Sequence, residues 1–478
     1  MTMPKRRFFL IALAWLHLLA ACALLPGWLL PSSPTPTAFA QVEIPPSPTP
    51  TALTQTILTP VAENDQLNPQ GPWLLLSTDR DEVWAANPNG SGLTKLAENA
   101  AGETPLQDAL QPGGSLLALV TADGGGFGHM VLNLVSLPDG KTTRVSALTS
   151  DKTEKAAAGS PGEPGFEALR AVKEQRSLAW SPDGKTLAFS GVIDGPSADI
   201  YLYNLSSAKI SRLTKEKDQD FNPSWAPDGR HILFLSAAGF GTGAGAAMSG
   251  VWLAAADGSR AAQLFNPKNG GETVYGWVDW NTVLISGWTA ACGSSGLSLY
   301  NTASQETRLV NQNCFSAAAL SPEGDILFGT QEGLFHYPKD GRMPTRLDQG
   351  NVTRITWEPA SRMFAVQFAD GRLVTLDGQG EKSEVSPFDG MNAAASNSAL
   401  WAWTNDGETH PGVWINRAGQ AARQIYADRA RFPLWDGHNY LLFLGSGGLF
   451  RAKYPDYADP VRAAAVHFNV EQVIWAGQ

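Results

Sequence analysis

Two Asp-Gly pairs, Asp183-Gly184 and Asp228-Gly229, sit in near-identical surroundings: WSPDGKTLAFS at 180–190 and WAPDGRHILFLS at 225–236. A carboxylate repeated in this way could serve a calcium ion, but calcium draws several oxygen ligands from one loop. Each phrase offers one carboxylate, placed between a Pro that presets φ and a Gly that accepts φ > 0, so the pair reads as turn chemistry. The seven His residues (17, 129, 231, 336, 410, 438 and 467) are isolated from one another. There is no G-x-S-x-G elbow, H-E-x-x-H pair or phosphate-binding loop. The Gly-rich stretch 239–245 (GFGTGAG) falls between two predicted strands with no helix after it, which makes it a loop and not a phosphate cradle. No catalytic residue, metal or cofactor is nominated.

The phrases have weaker copies at Leu110 (LQPGGSLLALV), Leu320 (LSPEGDILFGT) and Trp357 (WEPASRMFAV). Pro182 and Pro227 are 45 positions apart and Pro322 and Pro359 are 37 apart. A period of this size marks a stacked-repeat architecture. Each unit has one grammar. An entry strand ends at the Trp or Leu, a tight turn follows, and then comes a short run apolar on both faces, such as Thr186–Ser190. An aromatic strand such as Asp199–Asn204 (DIYLYN) and a short last strand such as Ile210–Thr214 complete it. Four antiparallel strands per unit make a propeller blade. The chain thus resembles the bacterial WD-repeat-like propellers of the TolB type, whose blades carry this phrase; the resemblance implies the fold over most of 71–478 and carries little about function.

The expectation is an all-β chain, a β-propeller over 71–478. Residues 73–96 read as the last three strands of a blade and 470–477 as a lone strand, so pairing the two would close the ring and remove two exposed edges. That counts nine candidate units. Rings usually hold roughly four to eight blades, and Asn392–Tyr426 and Arg431–Ala465 are the least regular units, so eight blades are expected within a range of seven to nine.

In this grammar the loop after each second strand and the connector between blades emerge on one face, here called the loop face. It receives Thr121–Gly128, Gly191–Ala198, Ala237–Gly250, Trp288–Gly296 and a polar insert, Ser150–Gln175, while the Pro-Asp-Gly turns occupy the opposite turn face. Binding sites favour long loops on a rigid scaffold. Trp180, Trp225 and Trp357 share one repeat position and are expected between blades; Trp288, in a loop, is the expected exposed aromatic. Cys292 and Cys314 both map to the loop face and are expected to form a disulfide. Residues three before the phrase's Trp or Leu should line the central channel, which nominates Gln107, Asn222 and Arg354, with Trp288, as candidate binding residues.

Upstream, Lys5, Arg6 and Arg7 precede an apolar stretch, and Leu19-Ala20-Ala21-Cys22 resembles the lipobox of bacterial lipoproteins, which implies lipidation of Cys22. Apolar residues continue past Cys22, so an uncleaved anchor helix is an alternative, as is plain cleavage; residues 1–30 are signal peptide or anchor. Residues 31–70, with PSSPTPT and PPSPTPTALTQT, read as a disordered, extended stalk reaching on the order of 100 Å. The net charge of -10 and the lack of a basic run beyond the N-terminus exclude nucleic acid as partner. The expected protein is a monomer outside the cytoplasm, in the periplasm or at the cell surface, tethered to the membrane. It is expected to bind a protein or glycan through the loop face; the alternative is a hydrolase or lyase acting on carbohydrate at the channel mouth. Cys22→Ala is expected to release or mislocalise the protein on membrane fractionation, whereas unchanged membrane association would favour the anchor helix.

Overall fold

The computed structural model describes residues 66–477 apart from 102–103, 123–128, 151–163, 174–175, 238–249, 266–272, 290–292, 340, 342, 359–361, 398–399, 418–419 and 438. Among these, nine four-stranded antiparallel sheets form the blades of a propeller. Blade 1 is split: β36 (Val470–Ala476) pairs with β1 (Trp73–Thr78), and β2 (Val83–Ala86) and β3 (Thr94–Ala97) follow outward. The register runs from Trp73↔Ala476 to Thr78↔Val470, so the two ends of the propeller are stitched together as expected. In the other blades the chain runs strand by strand from inside to outside. First strands face one another, as β8 (Leu178–Trp180) faces β12 (Gln219–Trp225) and β28 (Ala393–Asn397) faces β32 (Ala430–Trp435).

The count is nine and not eight. The two irregular units are complete blades, one built from β28 to β31 (Arg423–Tyr426) and one from β32 to β35 (Val461–Ala465). Both lack the Pro-Asp-Gly phrase. In blade 9, Asp436 Oδ1 accepts the backbone N–H groups of Asn439 and Tyr440, each at 2.9 Å, in an Asx-type turn. In blade 3, Asp183 Oδ1 accepts from Ser181 Oγ at 2.7 Å and Lys185 N at 3.1 Å. Gly184 has φ +67, which the turn reserves for glycine, and a Cβ there would lie 3.2 Å from Pro112 O of blade 2, so the seam leaves a side chain little room.

The apolar cores lie between blades. One cluster joins Leu132 and Leu134 of blade 2 to Trp180, Leu187 and Phe189 of blade 3 and Phe221 of blade 4. Leu187 and Phe189 are fully buried, each contributing on the order of 2 kcal/mol. The repeated Trp residues cross these seams as expected: Trp180 Nε1 donates to Ala109 O at 2.9 Å, and Trp225 Nε1 to Ala179 O at 3.0 Å. Trp357 packs in the cluster that joins blades 6 and 7.

The insert is not merely polar. Pro164–Lys173 forms a helix, α2 (α1 being the single turn Leu106–Ala109), and buries Ala168, Leu169, Ala171 and Val172 against β9 (Thr186–Gly191) and β12. These positions form one helical stripe, with Pro164 at the first turn. The chain is held from Leu67 onward, inside the expected stalk boundary: Leu67 packs against the core beneath Trp73, Asn68 N donates to Asn87 Oδ1 at 2.7 Å, and Trp73 Nε1 donates to Asn68 O. No helix among the described residues is long and apolar enough to cross a membrane; residues 1–30, Cys22 and stalk residues 31–65 lie outside them.

Trp225→Phe keeps the seam's bulk but strands Ala179 O, and is expected to destabilise the fold by about 1 kcal/mol. Chemical denaturation checks this, and an unchanged midpoint would deny the seam hydrogen bond its role.

Candidate functional site

Blade 9 makes its loop-face connection with only two residues, Ser446-Gly447, between β33 (Tyr440–Gly445) and β34 (Gly448–Lys453). Gly447 takes φ +76, as a two-residue hairpin requires. The flanking connections stand beside this notch: residues 406–411 of blade 8 and 79–82 of blade 1. The notch opens into a cavity of about 850 Å³. The second residues of two inner strands, Arg431 on β32 and Glu471 on β36, line it, and Asp79, Asp406, Arg429 and Asn469 reach it from the loops.

The charges here are loosely held. Arg431 Nη2 donates to Val470 O at 3.3 Å, and its Nε lies 3.7 Å from Asp406 Oδ2. Arg429 is 3.9 Å from Glu408. Ion pairs this long and exposed contribute little, so both guanidinium groups keep donors for a ligand. Asp79 is better fixed, accepting Asn469 N at 3.2 Å and Asn469 Nδ2 at 2.9 Å. Glu471 is exposed, with no ion pair among the described residues. Phe468 is the one aromatic among the lining residues and stacks on Trp84 with centroids 5.0 Å apart. The cavity thus offers fork-shaped donors, carboxylate acceptors and one aromatic ring. Among the described residues no three His, Cys, Asp or Glu side chains gather as a metal site.

None of the four nominated residues lines this cavity. Gln107 is exposed on α1, because blade 2 replaces most of its inner strand with a helical turn after a two-residue β4 (Ala100–Ala101). Asn222 sits in a bulge of β12 with φ +52, its Oδ1 buried without a hydrogen-bond partner. Arg354 is exposed at a bulge of β24 (Val352–Glu358). Trp288 does not lie in a loop: β17 (Thr282–Thr289) runs through it and pairs it with Ser294, because the hairpin extends past a bulge at 285–287. Among the described side chains, Trp280 is an exposed indole, 57% accessible, in the turn before β17. Cys314 is disulfide-bonded; Cys292 lies outside the described residues.

Sequence reasoning missed Arg429, Arg431 and Glu471. A signal existed. Arg431-Phe432-Pro433-Leu434-Trp435 matches Phe221-Asn222-Pro223-Ser224-Trp225 in its Pro and Trp, and Phe432 and Asn222 share φ near +50 in equivalent bulges. A strand interior excludes Pro except at edges and bulges, so the shared x-Pro-x-Trp registers blade 9 on blade 4 and places Arg431 at the top of an inner strand.

A second group of ionisable residues lies at the loop-face end of the seam between blades 3 and 4. Asp199, at the start of β10 (Asp199–Asn204), and Asp220 on β12 are 0% and 1% accessible. Asp199 accepts Arg212 Nη2 at 2.6 Å, and Arg212 also reaches Asp194 at 3.1 Å. Burial, aided by the Asp220 charge, nevertheless raises Asp199 to about 7. Neither oxygen of Asp220 receives a well-formed hydrogen bond. Burial raises it to about 6, with the Ser236 and Thr214 hydroxyls only partly opposing.

Residues 171–361 match the family described as PD40, TolB beta propeller domain. The Tol-Pal system protein TolB of Alcanivorax borkumensis is 44% identical over 64 residues, 13% of this chain and 15% of that protein. A TolB homolog of Chlorobium chlorochromatii is 40% identical over 156 residues, 33% of this chain and 28% of that one. The chain spans 11% to 28% of the length of such curated relatives. Among solved structures, dipeptidyl peptidase 4 of Porphyromonas gingivalis has a TM-score of 0.50 at 14% identity, covering 83% of this chain and 65% of that one; this shows the fold alone. Residues 171–361 thus match a TolB-type β-propeller, within a ring of propeller blades.

A carboxyl whose folded pKa lies above its unfolded value, about 3.9, binds its proton more tightly in the folded state. For Asp220 stability is therefore highest below pH 4 and declines as pH rises through 6. Asp220→Asn removes that loss. The variant's stability advantage is expected to grow by on the order of 2 kcal/mol between pH 4 and 7. Thermal melts across that range check this, and a pH-independent difference would refute it.

Proposed function

We propose that this chain is a membrane-tethered, extracytoplasmic propeller that binds a protein or glycan partner on its loop face, with the cavity between blades 8, 9 and 1 as the site. The observation that carries the reading is the cavity itself: about 850 Å³ at the channel mouth, with two guanidinium groups and Glu471 not committed to strong internal pairs. Pockets of roughly 300–1,000 Å³ with a few convergent polar groups are the usual form of a binding site. The tether is residues 1–30, by lipid on Cys22 or by an uncleaved helix, with 31–65 as the stalk. A bridge from Cys314 to Cys292 would fasten the hairpin end of blade 5 on the same face.

One observation favours the hydrolase or lyase reading. Asp79, Asp406 and Glu471 all line the cavity, and carbohydrate hydrolysis employs paired carboxylates. Asp79 and Asp406 are held by the neighbouring Asn469 and Asn392 amides, which ties up two of the three carboxylates, so binding remains the leading reading.

Arg431→Ala in the full-length protein is expected to weaken partner binding about tenfold, the loss of about 1.4 kcal/mol. Quantitative capture of cell-envelope material by wild type and variant checks this. Equal recovery would remove the cavity from the function, and release of shortened saccharide during capture would favour the enzyme.

A further inference from the structure

The partner's chemistry follows from the walls of the cavity. A protein epitope is anchored by large apolar or aromatic side chains in desolvated pockets, and the walls here are mainly polar. Arg429, Arg431 and Asn469 supply donors, and Asp79, Asp406 and Glu471 supply acceptors. Three carboxylates against two guanidinium groups leave the lining close to neutral, which disfavours a strongly anionic or cationic ligand. A ligand that satisfies donors and acceptors around its rim, while carrying apolar C–H faces, is a pyranose.

The aromatic groups fit the same reading. Phe468 is a single ring in an otherwise polar lining. The loop that brings Asp406 to the cavity also carries His410, which is exposed, held at φ +50, and stacked on Phe388 with centroids 4.3 Å apart and planes 13° apart. Trp414 closes the group edge-on to Phe388 at 4.5 Å. Strained backbone at an exposed aromatic is tolerated where the surroundings fix it; here Trp414 Nε1 donates to His410 O. One loop therefore presents a carboxylate to the cavity and a stacked aromatic surface beside it.

We propose that the cavity takes a glycan: a short, uncharged oligosaccharide whose hydroxyls pair with Arg431, Asp406 and Glu471 and whose ring face packs on Phe468. The inference rests on the cavity being the binding site, and it narrows the partner to a saccharide.

The test uses the full-length protein in detergent against immobilised neutral oligosaccharides, including chitotetraose and cellotetraose, and in parallel against a panel of peptides of mixed charge. At least one saccharide is expected to bind. Phe468→Ala and Glu471→Gln should each weaken it about tenfold, with unchanged thermal melts, while Ser259→Ala on the turn face has no effect. Glu471→Gln keeps shape and exposure, so it reports even if Phe468→Ala perturbs folding. Peptide binding that is lost in Glu471→Gln, without saccharide binding, would overturn the glycan assignment and leave the site standing. Saccharide binding indifferent to both variants, or no binding of either kind, would overturn the site as well.

Discussion

No blade of this propeller can bury its own apolar surface. A single twisted sheet with apolar residues on both faces, such as Leu187-Ala188-Phe189 in β9, needs a neighbour on each side, and only a closed ring gives every blade two neighbours. The indole hydrogen bonds from Trp180 to Ala109 O and from Trp225 to Ala179 O fix how one blade sits on the next. The β1–β36 pairing supplies the last seam. The turn chemistry of Asp183-Gly184 serves the same end, since its glycine lies against the backbone of blade 2.

Architecture was legible because its signals are local. Pro-Asp-Gly fixes a turn and a fixed period fixes a stack. The ninth blade is discounted in the sequence because rings usually hold about four to eight blades, and its phrase keeps Trp435 and Asp436-Gly437 but no turn proline, Asp436 making the turn with its own side chain. Helix α2 escaped notice for a different reason: its apolar stripe is short, half of its buried residues are Ala, and it lies in a segment rich in Lys, Glu and Gly.

The site was less legible, for geometric reasons. Long loops are the visible mark of a binding face in a sequence, whereas the cavity arises where a loop is shortest: Ser446-Gly447 leaves a gap that its longer neighbours wall. Absence of chain has no composition to read. Spacing puts Asn222 and Arg354 on inner strands, but these strands bulge there, as β32 does at Phe432, and a bulge re-aims side chains. Arg431 is displaced from the column that spacing alone would assign.

The closing pair also has a mechanical meaning. β1 begins on the turn face, where Asn68 and Trp73 anchor the incoming chain, and β36 begins on the loop face, at Val470 beside the cavity. Tension between Gln66 and a molecule held at Glu471 acts along the axes of these two antiparallel strands. Their hydrogen bonds lie across that axis, so the load falls on the whole ladder from Trp73 to Thr78 at once and does not peel it bond by bond. The seam that completes the ring is thereby a shear clamp between the incoming chain at Gln66 and the strand end at Glu471.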